Sequence, residues 1–147
     1  YHRTRTHPEG APIIAAIRAA LSDAGCHPDE IDYVNAHGTG TPENDKMEYL
    51  ALASVFGDRV HELPVSSSKS MIGHTLTAAG AIEAAISLMS ISHGMLPPTI
   101  NCNDPDPAIE LDIVPNKARK ATIGTVLSNS FGFGGQNACL VLSGEPA

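Results

Sequence analysis

The chain is short of positive charge. Nine lysines and arginines stand against sixteen aspartates and glutamates in 147 residues, a formal net charge of −7. A general nucleic-acid binder shows a basic stripe, and none is present, which argues against that class. The basic cluster that does stand out, Lys117, Arg119 and Lys120, reads either as a solvated loop or as a touch point for an acidic partner. Cysteine is scarce too. Cys26, Cys102 and Cys139 are odd in number, widely spaced and free of CxxC or Cys/His ligand patterns, so neither a disulfide framework nor a structural zinc follows. A reducing, cytoplasmic setting is the simplest reading. No signal peptide is expected from the opening residues, and the most apolar run, AAGAIEAAISLMSI, is broken by Glu83 and short for a bilayer. An initiator methionine is missing as well, and the opening YHRTRT reads as cut from something longer.

What is present suits a soluble globular domain: hydrophobic residues make up 42% of the chain and charged ones 17%. The length fits one domain with a core of its own. In PIIAAIRAALSDAG, Ile14, Ile17, Leu21 and Ala24 recur at helical spacing and Gly25 stops the run. IDYVNA predicts a short buried strand. A second helix is expected over PENDKMEYLALASVFG, with Pro42 in its first turn, Glu43 and Asp45 at its positive end, and Gly57 closing it. LPVSSSK predicts a strand running into a serine-rich loop, and a long helix is expected from Thr75 to Ser92. The segment from Met95 to Ala121 holds five of the eleven prolines and reads as a structured loop with short strands. TIGTVLSNS and NACLVLSG are two strands joined by the turn FGFGG. Helices alternating with buried strands give an α/β class, a mixed sheet covered by helices.

Three stretches carry chemistry. In NAHGTGTPEND, Asn35 to Asp45, His37 precedes two glycines that admit close approach and two threonines, Thr39 and Thr41, that offer hydroxyls. A lone histidine at a strand end is more often a packed structural residue, but a strand, a small-residue loop and a helix commonly frame a ligand. A phosphate loop is disfavoured, because neither a Gly-Lys-Ser/Thr ending nor GxGxxG spacing occurs. In SSSKSMIGHTLTAAGAIE, Lys69 precedes His74, placed at the mouth of the apolar helix, whose positive end disfavours imidazolium. A neutral ring there can donate to a carbonyl gaining charge. Glu83 within the apolar run is costly unless paired, and Lys69 is its candidate partner. A purely structural pair reads from the same residues. SNSFGFGGQN is either a β-bend packed by Phe131 and Phe133, or a backbone N–H aimed at an oxyanion beneath a movable phenylalanine.

Taken in order, these blocks and LPPTINCNDPDP resemble the C-terminal half of a β-ketoacyl-acyl carrier protein synthase, the decarboxylating condensing enzyme of fatty-acid and polyketide synthesis. The resemblance covers nearly the whole chain, residues 1–147, and implies one half of a thiolase-like αβαβα fold, with a homodimer as the complete enzyme. It implies no cofactor, the substrates being carried on the phosphopantetheine of acyl carrier protein. It further implies that His37 and His74 hold the malonyl thioester carbonyl and stabilise the enolate. Lys69 then tunes the field around them, and Glu83 orders the network. Thr39 and Thr41 contact the phosphopantetheine arm, and Phe133 gates the site while its N–H helps form an oxyanion hole. Asn35, Glu83, Ser128 and Asn129 match positions where some relatives hold a structural monovalent cation. The expected partners are acyl carrier protein and an N-terminal half bearing the nucleophilic cysteine on an elbow not found in this chain. Without that half the chain is expected to be inactive.

Close relatives differ at readable positions. Thiolases place a second cysteine in the last glycine-rich turn, where this chain has Phe131 and Phe133. Initiating synthases keep an asparagine in place of one histidine, and chain-length-factor subunits generally lose the pair. Both histidines here favour the elongating Cys-His-His type. A stand-alone, non-catalytic carrier-protein-binding module is the alternative, and the intact set of Lys69, His74 and Glu83 speaks against it.

Overall fold

A computed structural model describes residues 2–5 and 7–144. Among these described residues, four α-helices and seven strands follow in order as α1 (Ala11–Ala24), β1 (Tyr33–Asn35), α2 (Pro42–Phe56), β2 (Pro64–Ser66), α3 (Lys69–Ile72), α4 (Ala79–His93), β3 (Met95–Leu96), β4 (Asp112–Ile113), β5 (Arg119–Lys120), β6 (Thr125–Phe131) and β7 (Asn137–Ser143). The main sheet has the order β4-β2-β1-β6-β7. Its first four strands are parallel, and β7 turns back antiparallel on β6 through the glycine-rich bend. The sheet is therefore mixed, as expected. β3 and β5 form a separate two-stranded antiparallel ribbon.

Strand alternation sorts the core into two layers. Val34 and its register partner Leu127 face α1 and α2, joining Ile13, Ile17, Leu21, Leu52, Phe56 and Val65. Tyr33 and Val126 face the other way, with Leu96, Val114 and Ile123. That second face lies beneath α4.

α1 ends where Gly25 takes up φ 59 and ψ 27, its N–H closing back on Leu21 and Ser22. α2 runs from Pro42, with Glu43 and Asp45 in its first turn. Asp32 Oδ2 accepts from the N–H groups of Gly124 and Thr125, which seats the start of β6 beside β1.

Two expected boundaries move. The serine-rich loop after β2 contains the single helical turn α3. The long helix begins at Ala79, not Thr75, because Leu76 adopts φ 53 and separates a 3₁₀ turn at Leu76–Ala78 from the approach at His74. α4 is also inside out. Its buried side is Ala79, Glu83, Ser87 and Ser90, while Ile82, Leu88 and Met89 face outward. Contrary to the expectation from the apolar run, Leu76–His93 is long and apolar enough to cross a membrane by length and composition. Its polar stripe is nonetheless seated on β6 and β7 and tied through Glu83 to Lys69 and to Asn35 at the end of β1.

Leu52 is fully buried between α1, α2 and the sheet. Leu52→Ala should cost about 2–5 kcal/mol in denaturant unfolding, the range for a core leucine truncated to alanine.

Candidate active site

Three parallel strands deliver their carboxyl ends to one place, the region where open α/β sheets usually bind ligands. β1 ends at Asn35 and leads to His37. β2 ends at Ser66 and leads to Lys69. β6 ends at Phe131. The cleft above them is lined by His37, Thr39, Thr41, Lys69, His74 and Phe133, among others. The side chains expected to meet the substrate and its arm therefore border one cleft. Glu83 reaches it through Lys69, while Asn35, Ser128 and Asn129, the other residues of the expected cation set, do not line it.

The His37 and His74 rings stand edge to face, 5.4 Å between centroids at 84°. His37 is buried, and Phe131 packs against its ring at 5.3 Å. Phe133, by contrast, is 78% exposed at the turn. The bend is thus packed by one phenylalanine, while the other projects. The His37 pKa is lowered to about 4, first by burial and then by the neighbouring Lys69 and His74. The ring is neutral at pH 7.

His74 is exposed and lies five residues before α4, so no turn of that helix faces it as expected. Its tautomer is set locally instead. The N–H of Leu76 donates to His74 Nδ1 at 3.1 Å, which leaves the proton of a neutral ring on Nε2, free to donate.

Lys69 Nζ donates to Glu83 Oε1, with both side chains almost wholly buried. The pair expected from sequence forms, and it joins the exit of β2 to α4. Asn35 Nδ2 donates to the Glu83 carbonyl at 3.1 Å and lies 3.3 Å from Ser87 Oγ. Among the described residues, five buried side-chain oxygens have no hydrogen-bond partner: Asn35 Oδ1, Ser68 Oγ, Thr75 Oγ1, Glu83 Oε2 and Asn129 Oδ1. Thr39 and Thr41 bond to each other through their hydroxyls at 2.9 Å.

One residue was missed from sequence: Glu48. Its carboxylate accepts from the N–H of His37 and of Gly38, each at 2.9 Å, and from Asn129 Nδ2 at 3.0 Å. It therefore clamps the His37 loop to the end of β6. Burial pushes its pKa up, and the three donors work the other way. The signal was the helical register: Glu48 shares a face with Ala51, Leu52 and Phe56, all buried, so a carboxylate at that position had to be paired inside.

Gly38 is the other constraint. It has φ +42, and a Cβ on it would lie 2.5 Å from Ser67 Cβ. Ser67 Oγ in turn donates to the Gly38 carbonyl at 2.9 Å. Of the cysteines, Cys139 is held by burial at a pKa of about 12, and burial also raises Cys26. Neither is poised as a thiolate.

Among solved structures, this fold matches ketosynthases of the thiolase-like class. The ishigamide ketosynthase/chain length factor aligns with a TM-score of 0.93 at 43% identity, over 99% of this chain and 35% of that one. A type II polyketide ketosynthase, solved with its acyl-carrier protein and bound to the hexaketide, aligns with a TM-score of 0.94 at 38% identity, over 97% and 35%. Residues 1–103 match the family described as beta-ketoacyl synthase, C-terminal domain, and the chain belongs to that family. It is 52% identical over 143 residues to the 3-oxoacyl-[acyl-carrier-protein] synthase 2 of Coxiella burnetii, covering 97% of this chain and 34% of that protein. It is 46% identical to the tetracenomycin polyketide synthase ketoacyl synthase alpha subunit of Streptomyces glaucescens, over 97% and 34%. The chain spans about one third of the length of the curated relatives it matches.

Two outcomes test this geometry. Gly38→Ala should destabilise the fold by at least about 1–2 kcal/mol through its left-handed backbone alone. Adding Ser67→Gly should recover only the part due to the clash, as read by thermal unfolding. In an NMR titration, the His37 ring should stay neutral from pH 8 down to 5, with its midpoint near about 4. An unfolded histidine titrates near about 6.5. The unfolded chain therefore binds the extra proton first, and stability should fall as pH drops from about 6.5 towards 4.

Proposed function

We propose that this chain, as one domain over residues 1–147, is the decarboxylating half of a cytoplasmic β-ketoacyl-acyl carrier protein synthase. That enzyme elongates fatty-acid or polyketide chains by decarboxylative Claisen condensation. The observation that carries the reading is the pair of adjacent imidazoles, one buried and neutral, the other with its Nε2 proton free, at the carboxyl ends of three strands.

The malonyl group enters on the phosphopantetheine of acyl carrier protein, its arm lying along the Gly38–Thr41 loop with Thr39 and Thr41 bonding its amides. His37 and His74 donate to the thioester carbonyl. The bond between Cα and the malonyl carboxylate breaks, carbon dioxide leaves, and the electron pair moves to the carbonyl oxygen between the two donors. Fixed donors of this type are worth about 2.7–4 kcal/mol each where one has been removed in other enzymes. The Cα of the enolate then attacks an acyl thioester on a cysteine, which departs as thiolate. That cysteine belongs to the N-terminal half expected from the resemblance, since none in this chain is presented for attack.

Lys69, neutralised in part by Glu83, supplies positive potential beside His37 and helps to keep it unprotonated. Phe133 at the flexible turn covers the site when the arm is seated, and its N–H serves the oxyanion of the acyl half-reaction. No cofactor takes part. Asn35, Glu83, Ser128 and Asn129 would hold a structural monovalent cation. The unpartnered oxygens of Asn35 and Glu83, on the α4 side of the sheet, are hard donors of the kind such an ion takes, and it would supply charge balance to Glu83. The complete enzyme is a homodimer in this reading.

His37→Ala and His74→Ala in the full synthase should each lower decarboxylation of malonyl-carrier protein by about 10²–10³-fold, measured as carbon dioxide release. The chain alone should bind carrier protein without releasing carbon dioxide. Retention of full activity by either variant would leave the carrier-binding module as the better reading.

A further inference from the structure

The linear sequence draws attention to Lys117, Arg119 and Lys120, but the fold puts Arg119 into a two-pronged pair with Asp112, at 2.9 and 2.6 Å, well satisfied on the surface. A different basic segment reaches the cleft. His2, Arg3, Thr4 and Arg5 line its mouth, and the Arg3 carbonyl accepts from the N–H of Gly134 at 2.8 Å. The segment is thereby fastened to the glycine-rich turn beside Phe133. Arg3 and Arg5 are both exposed. Among the described residues, neither guanidinium has an ion-pair partner. Among the described residues lining the cleft, and apart from the buried Lys69 and Glu48, the other charges are negative and sit elsewhere: Glu43 and Asp45 on the first turn of α2, Asp104 and Asp106 in the proline-rich loop.

This segregation matters for any substrate that enters as an anion. Four carboxylates repel it from the α2 and loop sides, and two unpaired guanidiniums attract it to the third. Guanidinium is also the side chain whose planar fork matches phosphate oxygens in pairs. We propose that Arg3 and Arg5 bind the phosphodiester at the outer end of the phosphopantetheine arm, fixing the side on which the arm enters. The inference rests on the reading that this cleft takes such an arm, and it adds the residues that hold the arm's charged end. Because the anchor to Gly134 is a backbone carbonyl, changing either side chain leaves that bond in place.

The test uses the full synthase with three malonyl thioesters: malonyl-carrier protein, malonyl-phosphopantetheine and malonyl-pantetheine, which lacks the phosphate. Arg3→Ala and Arg5→Ala should each raise KM for the two phosphate-bearing substrates by about tenfold, the scale of a charge-assisted hydrogen bond. KM for malonyl-pantetheine should move less than about twofold. Arg3→Lys should recover part of the loss, since it keeps the charge without the fork. An equal rise for all three substrates would mean the segment only supports the turn, and would overturn the proposal. A rise confined to malonyl-carrier protein would overturn it too, by pointing to carboxylates of the carrier. Should the wild-type enzyme decarboxylate none of the three, the reading of the site itself would fall, and this inference with it.

Discussion

The arrangement of the site depends on one buried ion pair, Lys69 with Glu83. Taking two charges out of water costs several kcal/mol per ion, and their attraction repays this only when geometry and further bonds are good. Here the lysine stands just after β2 and the glutamate faces it from the first turns of α4. The pair therefore fixes where α4 lies over the sheet and what field the two histidines feel. Removing one partner alone would leave an uncompensated charge beside His37. The second carboxylate oxygen of Glu83 and the amide oxygen of Asn35 remain without protein partners, so the polar layer between the sheet and α4 carries spare acceptor capacity.

Glu48 plays the matching part on the opposite face. It takes two backbone N–H groups of the His37 loop and the side chain of Asn129, so β1, α2 and β6 are tied at their working ends. The two faces of the sheet thus each contribute one buried glutamate, and the histidine loop runs between them. α4 explains why a fold with this interior shows leucine and methionine to solvent. A helix that buries Glu83, Ser87 and Ser90 inward has its apolar residues left for a second layer, consistent with the chain spanning about a third of its relatives.

Much of this was readable residue by residue. α1, β1, α2 and the closing hairpin β6–β7 follow from period, capping glycines and the N-terminal proline, because those signals are local. The start of α4 was misplaced because a leucine in the left-handed region has no local sequence mark. The turn α3 was read as loop because Ser66, Ser67 and Ser68 favour caps and turns over helix. The pairing of Lys69 with Glu83 was predictable, since a carboxylate in an apolar run needs a cation. Glu48 was equally predictable from its register on α2, but its acceptance of backbone donors was not. Which phenylalanine packs on His37 was not readable either, because Phe131 and Phe133 differ only in which side of the bend they leave.

By itself the sequence determined most of the element types, the mixed α/β class and the histidines, threonines and lysine that border the cleft. Composition, periodicity and ordered short motifs act over a few residues and survive without knowledge of the rest. Only the tertiary structure decided the protonation and the partners: His37 neutral through burial, the tautomer of His74 through the N–H of Leu76, and Arg3 brought to the mouth through Gly134. Each of these depends on distances between segments far apart in the chain or on backbone angles without a sequence code. Desolvation and hydrogen-bond geometry have no value until the chain has closed around them.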